Sequence, residues 1–168
     1  CSSSHQGIKL IECGAIGGIV TLTDIINREA VSIRELIARL LNTGFPRRSA
    51  LSIAREESIL GGQYIVVGDG GMTVTQAPSV TPTLLEVESA GDDFELGFQT
   101  YATDDAGIGS LYMPHLSDND EYFLSSGELT TFRVSSEDLK EIFQLEDAPV
   151  RIDSELRWSS SINVDSIH

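Results

Sequence analysis

The spacing of apolar residues changes along this chain of 168 residues, and Pro78 and Pro82 mark the change. Before Pro78, apolar side chains recur every three or four residues, which is the period of an amphipathic helix. After Pro82 they alternate with polar side chains, which is the period of a strand with one buried face. We therefore predict an α+β fold, with a helical module at residues 1–78 and an acidic, mainly antiparallel β module at residues 82–168.

Two helices are predicted early in the first module. Their apolar faces are Leu22, Ile25 and Ile26 for the first, and Ile33, Leu36, Ile37, Leu40 and Leu41 for the second. Ser32 and Glu35 form a capping-box pattern, so the second helix is expected to begin at Ile33. Gly44 follows the apolar face directly and is expected to end that helix.

A third helix and a hairpin complete the predicted first module. The helix is expected to begin near Arg47 and to end at residues 61–62. Its apolar residues are Leu51, Ile53, Ala54 and Ile59. The β-rich runs 64–67 and 72–75 flank a glycine-rich turn. This pattern predicts a hairpin over Tyr64–Gln76, because glycine supplies the positive φ that tight turns require.

The order helix, helix, turn, helix, hairpin resembles a winged helix-turn-helix domain. Arg47 and Arg48 open the helix that would lie in a major groove, and Arg55 follows on the same helix. The resemblance therefore implies DNA binding through these three arginines, with the hairpin as the wing. The module departs from the family pattern in that the wing carries Asp69 and no cation. Leu40 also stands where a small residue usually lets the helices approach.

Charge separates the two modules. Residues 1–80 carry seven basic and seven acidic side chains, so the whole net charge of −15 lies in the second half. Such a chain repels nucleic acid and anionic membranes and favours basic or neutral protein partners. Solubility is the simpler explanation of the same acidity, and both explanations stay open.

The second module is predicted to contain several short strands and one helix. Alternation places these residues on buried strand faces: Leu85, Val87, Phe94, Leu96, Phe98, Phe132 and Val134. Ser135 or Ser136 is expected to cap the helix, which buries Leu139, Ile142 and Phe143. A last strand is predicted over residues 150–158, followed by a polar tail.

A cluster of acidic side chains is the candidate metal site. Asp118, Asp120 and Glu121 place oxygen atoms close together, and Ca²⁺ binds six to eight oxygen ligands. The spacing does not match an EF-hand, which needs alternating ligands and a central glycine. A solvated turn is the alternative, and we predict no bound metal and no cofactor.

The sequence offers little support for catalysis or membrane insertion. Its histidines are His5, His115 and His168, and no serine or cysteine lies in a known nucleophile motif. The longest uncharged apolar run, residues 14–23, is far shorter than the roughly 20 residues that span a bilayer. Cys1 before three serines resembles the mature end of a lipid-anchored bacterial protein, and an arbitrary start is the alternative.

These observations predict a non-enzymatic subunit that recognises other protein chains in a larger assembly. A coat, connector or adaptor component of a virion is one example, and a homo- or hetero-oligomer is expected. Two alternatives stay open: a winged-helix-like DNA-binding regulator with an acidic sensor or dimerisation module, and an acidic immunity-type inhibitor of a basic toxin. The cellular location is not predicted.

Overall fold

The computed structural model describes residues 3–23, 27–74, 82–101, 108–112, 121–125, 129–145 and 147–167. Its contacts divide the chain into two compact units, Cys1–Pro78 and Ser79–His168. Both units combine helices with strands, so the predicted α+β class is confirmed.

The first unit contains a two-stranded antiparallel sheet with helices on its faces. Its elements are α1 (Ser4–Glu12), β1 (Gly17–Thr21), α2 (Asn27–Asn42), α3 (Arg47–Glu57), a 3₁₀ turn (Ile59–Gln63) and β2 (Tyr64–Gly68). In the sheet Gly17 lies opposite Gly68, and Thr21 lies opposite Tyr64. The core on one face of the sheet consists of Ile33, Ile37, Leu51, Ala54 and Tyr64. Helix α1 lies against the other face, where a Cβ on Gly7 would be 2.5 Å from Val20 Cγ1.

The structure corrects the predicted hairpin over Tyr64–Gln76. Strand β2 pairs with β1, and the described residues from 69 to 74 form no strand. The carbonyls of Gly70 and Met72 instead accept hydrogen bonds from the backbone N–H groups of Arg48 (2.9 Å) and Arg47 (3.3 Å). Those N–H groups belong to the first turn of α3 and have no partner within the helix. The glycine-rich segment therefore caps α3.

The structure also corrects where α2 begins. The helix begins at Asn27, not at Ile33 as predicted, so Ser32 lies inside it. No glycine or proline separates Asn27 from Ser32, and a helix extends readily through such a stretch once it has nucleated. Residues 17–21, just before the predicted first helix, form β1. Ile25 and Ile26 of that predicted helix lie outside the described residues.

The predicted end of α2 and start of α3 are confirmed. Gly44 has a φ of +95°, the left-handed conformation expected after a helix, and α3 begins at Arg47. Helix α3 ends at Glu57, however, and the chain continues as a 3₁₀ turn over the predicted helix end. Ile59, predicted to lie on the helix, is therefore in the 3₁₀ turn, where it is 92% exposed.

Gly61 and Gly62 form a matched pair for testing how tightly the 3₁₀ turn packs on α3. A Cβ on Gly61 would lie 2.6 Å from the Ala54 carbonyl oxygen, whereas a Cβ on Gly62 would have no atom within 4 Å. Gly61→Ala should lower the free energy of unfolding by about 1–3 kcal/mol, because backbone atoms cannot move aside. Gly62→Ala should leave it unchanged or raise it by up to about 1 kcal/mol. Urea denaturation of both variants measures the difference, and equal stabilities would contradict this packing.

The second unit contains a five-stranded mixed sheet and a separate strand pair. Its elements are β3 (Thr83–Ala90), β4 (Asp93–Thr100), β5 (Ile108–Tyr112), β6 (Glu121–Ser125), β7 (Leu129–Val134), α4 (Ser136–Leu145), β8 (Pro149–Ile152) and β9 (Glu155–Trp158). The sheet order is β7-β4-β3-β8-β9, and only the β3–β8 pairing is parallel. Strands β5 and β6 pair with each other.

The core of the second unit lies between one sheet face and α4. It consists of Leu85, Val87, Phe94, Leu96, Phe98, Val134, Leu139, Ile142, Phe143, Val150, Ile152 and Val164. The predicted alternation of buried residues and the predicted buried face of α4 are therefore confirmed. The Ser135 hydroxyl accepts a hydrogen bond from the Asp138 N–H (3.2 Å) and donates one to its carboxylate (2.6 Å), so Ser135 is the predicted cap.

The single strand predicted over residues 150–158 is in fact two strands. Strands β8 and β9 pair through a two-residue turn at Asp153 and Ser154, whose φ angles are 50° and 64°. Tight hairpin turns require positive φ at these two positions, and glycine or asparagine usually marks them. Asp153 and Ser154 are neither glycine nor asparagine, so the sequence pattern does not indicate this turn. The tail that follows contains two 3₁₀ turns, and its Val164 is buried in the core.

Candidate functional site

The three arginines of the DNA-binding alternative have different surroundings in the structure. Arg47 Nη1 donates a hydrogen bond to the Asp69 carbonyl at 3.0 Å, and Arg55 Nη2 donates one to the Tyr64 carbonyl at 2.8 Å. Arg48 is exposed. Arg55 thus holds β2 from the far end of α3, about 12 Å along the helix axis from Arg47 at 1.5 Å per residue. None of these observations tests DNA binding, which stays a prediction.

The candidate metal residues lie largely outside the described part of the chain. Asp118 and Asp120 are not described, and Glu121 is described only as the first residue of β6. Among the described residues, no group of three or more histidine, cysteine or acidic side chains could hold a metal ion. His5 is exposed on α1, while His115 and His168 are not described.

An open groove of about 590 Å³ lies within the first unit, between β1 and α2. The strand contributes all five of its residues, Gly17–Thr21, and the helix contributes Ala30, Arg34, Ile37, Ala38 and Leu41. Ser3, Arg47, Tyr64 and Val74 complete the described lining. From Gly17 to Thr21 the strand extends about 13 Å, and from Ala30 to Leu41 the helix rises by about 16 Å. The groove therefore runs along the whole of β1.

The edge of β1 that faces away from β2 is partly open. The Asp69 N–H donates to the Ile16 carbonyl (2.9 Å), and the Leu22 N–H donates to the Gln63 carbonyl (2.8 Å). Because antiparallel pairing alternates, the backbone groups of Gly18 and Val20 also point to β2, and those of Gly17, Ile19 and Thr21 point outward.

Ser3 closes this outer edge at Thr21. The Ser3 N–H donates to the Thr21 carbonyl at 3.2 Å, and the Thr21 N–H donates to the Ser3 hydroxyl at 2.8 Å. Within the described part of the chain, the outward backbone groups of Gly17 and Ile19 have no such partner. Counting described partners alone, the edge therefore offers two unpaired N–H groups and two unpaired carbonyls beside the groove.

The charged side chains that line the groove are both cationic. Arg34 Nε donates to the Ala30 carbonyl within α2 at 3.1 Å. The Arg47 guanidinium lies against Gly17, since a Cβ there would be 3.0 Å from Nη1. Among the described residues, neither arginine pairs with a carboxylate. Among the described lining residues, a groove in a chain of net charge −15 thus carries positive charge and no carboxylate.

The Tyr64 hydroxyl is a buried polar group that forms no hydrogen bond with any described residue. Tyr64 is only 4% exposed, lines the groove, and its oxygen has no partner among the described residues. Burial raises the pKa of this hydroxyl above its ordinary value of 10.0, and the nearby charge of Arg34 opposes the rise. An unsatisfied polar group beside a groove is typical of a site that a ligand completes.

Tyr64→Phe should stabilise the free protein. A buried hydroxyl without a partner is destabilising, so its removal should raise the free energy of unfolding by about 1 kcal/mol at pH 7. Because the folded state holds the Tyr64 proton more tightly than the unfolded state, wild-type stability should fall as the pH rises above 10.0. The variant lacks this loss, so its advantage should grow there. Urea denaturation from pH 7 to 11 measures both effects, and a variant less stable than wild type at pH 7 would contradict them.

A second, smaller cleft of about 400 Å³ lies in the second unit. Its charged lining residues are Glu86, Glu88, Arg151 and Asp153. Arg151 Nη1 already donates to Glu86 Oε1 at 3.0 Å, so the cation of this cleft has a carboxylate partner. The groove beside β1 is therefore the better candidate site.

Sequence reasoning did not identify this groove. In the sequence, residues 14–23 stand out only as an uncharged apolar run that is too short to span a bilayer. In the structure, Gly17–Thr21 of this run form β1. None of the described helices combines the length and apolar character needed to cross a bilayer.

No protein-family model, curated protein or solved structure matches this chain significantly.

Proposed function

We propose that this protein is a non-enzymatic interaction subunit of a larger assembly, and that its first unit binds an extended segment of a partner chain along β1. The observation that carries the proposal is the open outer edge of β1 at Gly17 and Ile19, which lies beside a groove walled by α2. Extended peptides commonly bind by adding a strand to such an edge, and their backbone hydrogen bonds provide affinity.

The groove has the dimensions and lining that a bound strand requires. Ile37, Ala38 and Leu41 supply an apolar wall on α2, opposite the polar backbone edge. A strand paired with Gly17 and Ile19 places alternate side chains on the α2 side of the sheet. Ser3 stands at the far end of the edge, so pairing extends over about four residues before the segment must leave the sheet.

A third strand also suits the energetics of the first unit. Two-stranded sheets are marginal by themselves, and this one depends on the helices packed against it. An added strand would satisfy the backbone groups of Gly17 and Ile19 and cover part of the apolar wall. The DNA-binding regulator and the inhibitor of a basic toxin remain alternatives, and no described contact favours either.

Selection from a displayed library of random octapeptides on the full chain tests the proposal. Binding of a selected, chemically synthesised peptide is then measured by fluorescence anisotropy. Ala38→Trp fills the groove and should weaken binding at least about tenfold, since the peptide loses its apolar wall. Ser52→Trp, at an exposed position on α3 outside the groove, is the matched control and should leave the affinity unchanged.

N-methylation of the peptide gives a second signature of strand addition. Only alternate peptide N–H groups face β1, so methylation at alternate positions should abolish binding, while methylation at the intervening positions should be tolerated. A library that yields no binder, or binders insensitive to Ala38→Trp, would overturn the proposal. Binding that is lost equally at every methylated position would also exclude strand addition.

A further inference from the structure

We infer that the segment bound along β1 is acidic, with one carboxylate side chain opposite Gly17, a second one four residues further along where the segment leaves the sheet, and a small apolar residue between them. This inference rests on the proposed function. It follows from the placement of Arg34 and Arg47, which are the charged residues among the described lining of the groove.

The two arginines come from different elements and lie near different residues of the sheet. The Arg47 guanidinium lies at the Gly17 end, where the absence of a side chain lets it approach the strand backbone. Arg34 lies near Tyr64, which is opposite Thr21 at the other end of β1. Gly17 and Thr21 are four residues apart, or about 13 Å along an extended strand.

The spacing of the arginines sets the spacing of the ligand carboxylates. Residues i and i+4 of a strand lie about 13 Å apart with their side chains on the same face. Residue i, opposite Gly17, would place its carboxylate beside Arg47. Residue i+4 lies where Ser3 closes the edge, so the segment bends there toward α2 and Arg34. Residue i+2, opposite Ile19, would contact Ile37 and Ala38 on the wall.

Desolvation makes these pairings selective. Arginine binds carboxylates through paired N–H donors, and the partly covered groove screens the charges less than open solvent does. Acidic side chains are favoured over a C-terminal carboxylate because a chain terminus could serve only one of the two arginines.

The test uses a defined peptide, acetyl-Thr-Glu-Thr-Val-Thr-Glu-Thr-amide, and its counterpart with glutamine in place of both glutamates. A third peptide carries the two glutamines and a free C-terminal carboxylate. Binding of each to the full chain is measured by fluorescence anisotropy. The glutamate peptide should bind about tenfold or more tightly than the first glutamine peptide, because it forms two partly desolvated ion pairs.

Variants of the chain assign each ion pair. Arg34→Gln and Arg47→Gln should each weaken binding of the glutamate peptide about three- to fivefold and leave the glutamine peptide unaffected. Arg48→Gln removes the same charge outside the groove and is the matched control, with no change expected. Arg47→Lys should restore part of the affinity, and thermal melting of every variant establishes that it is folded.

The outcomes separate the inference from the proposed function. Equal affinity of the glutamate and glutamine peptides, with both lost in Ala38→Trp, would overturn the inference and leave strand addition intact. Tight binding of the free-carboxylate peptide alone would show that a chain terminus is the true ligand, which also overturns it. Failure of these peptides and of every library-selected peptide to bind would overturn the proposed function itself.

Discussion

The antiparallel pairing of β1 with β2 is the interaction on which the first unit depends. It joins residues 17–21 to residues 64–68, and α2 and α3 lie in the intervening chain. The helices must therefore pack back onto the face that carries Ile19 and Tyr64. Two side chains then stabilise the pair. Arg55 donates a hydrogen bond to the Tyr64 carbonyl of β2, and the Ser3 hydroxyl accepts one from the Thr21 N–H of β1. In the part of the chain that the structure describes, no backbone group pairs with the outer edge of β1 at Gly17 and Ile19.

Local patterns in the sequence predicted the elements better than their pairing. Alternation and the Ser135 cap predicted the buried faces of β3 and β4 and the start of α4, because each strand face and helix end carries its own signal, whereas the turn between β8 and β9 carries none. Strand β1 has no such signal, since it begins with two glycines and is too short to show a period. The glycine-rich segment after β2 matches a hairpin turn locally, yet its carbonyls serve the distant start of α3.

The candidate site was accessible to sequence reasoning only in part. Arg47 was singled out, but as a phosphate contact on a recognition helix, because its position relative to Gly17 depends on the β1–β2 pairing. Arg34 and Tyr64 carry no motif. Their proximity arises from the packing of α2 on the sheet, which is a tertiary property. Residues that are far apart in the sequence and meet only through tertiary packing cannot be recognised from their sequence spacing.

The cationic groove has to be reconciled with a chain of net charge −15. At physiological salt the Debye length is about 8 Å, so repulsion from distant acidic residues is largely screened before a ligand reaches the groove. Inside the groove the distance between ligand and protein charges is shorter than the Debye length, so these charges are less screened. Arg34 and Arg47 there attract an acidic ligand. The net charge then discourages non-specific binding of other acidic chains, while the groove retains those that also fit as a strand.

The most direct test of strand addition at β1 is amide hydrogen exchange of the sheet, measured by NMR with and without bound peptide. In the free protein the N–H groups of Gly18 and Val20 should be protected by β2, and those of Gly17 and Ile19 should exchange faster. Bound peptide should slow the exchange of Gly17 and Ile19 selectively, because their N–H groups acquire strand partners. Unchanged exchange at these two residues, with protection appearing elsewhere, would contradict the account.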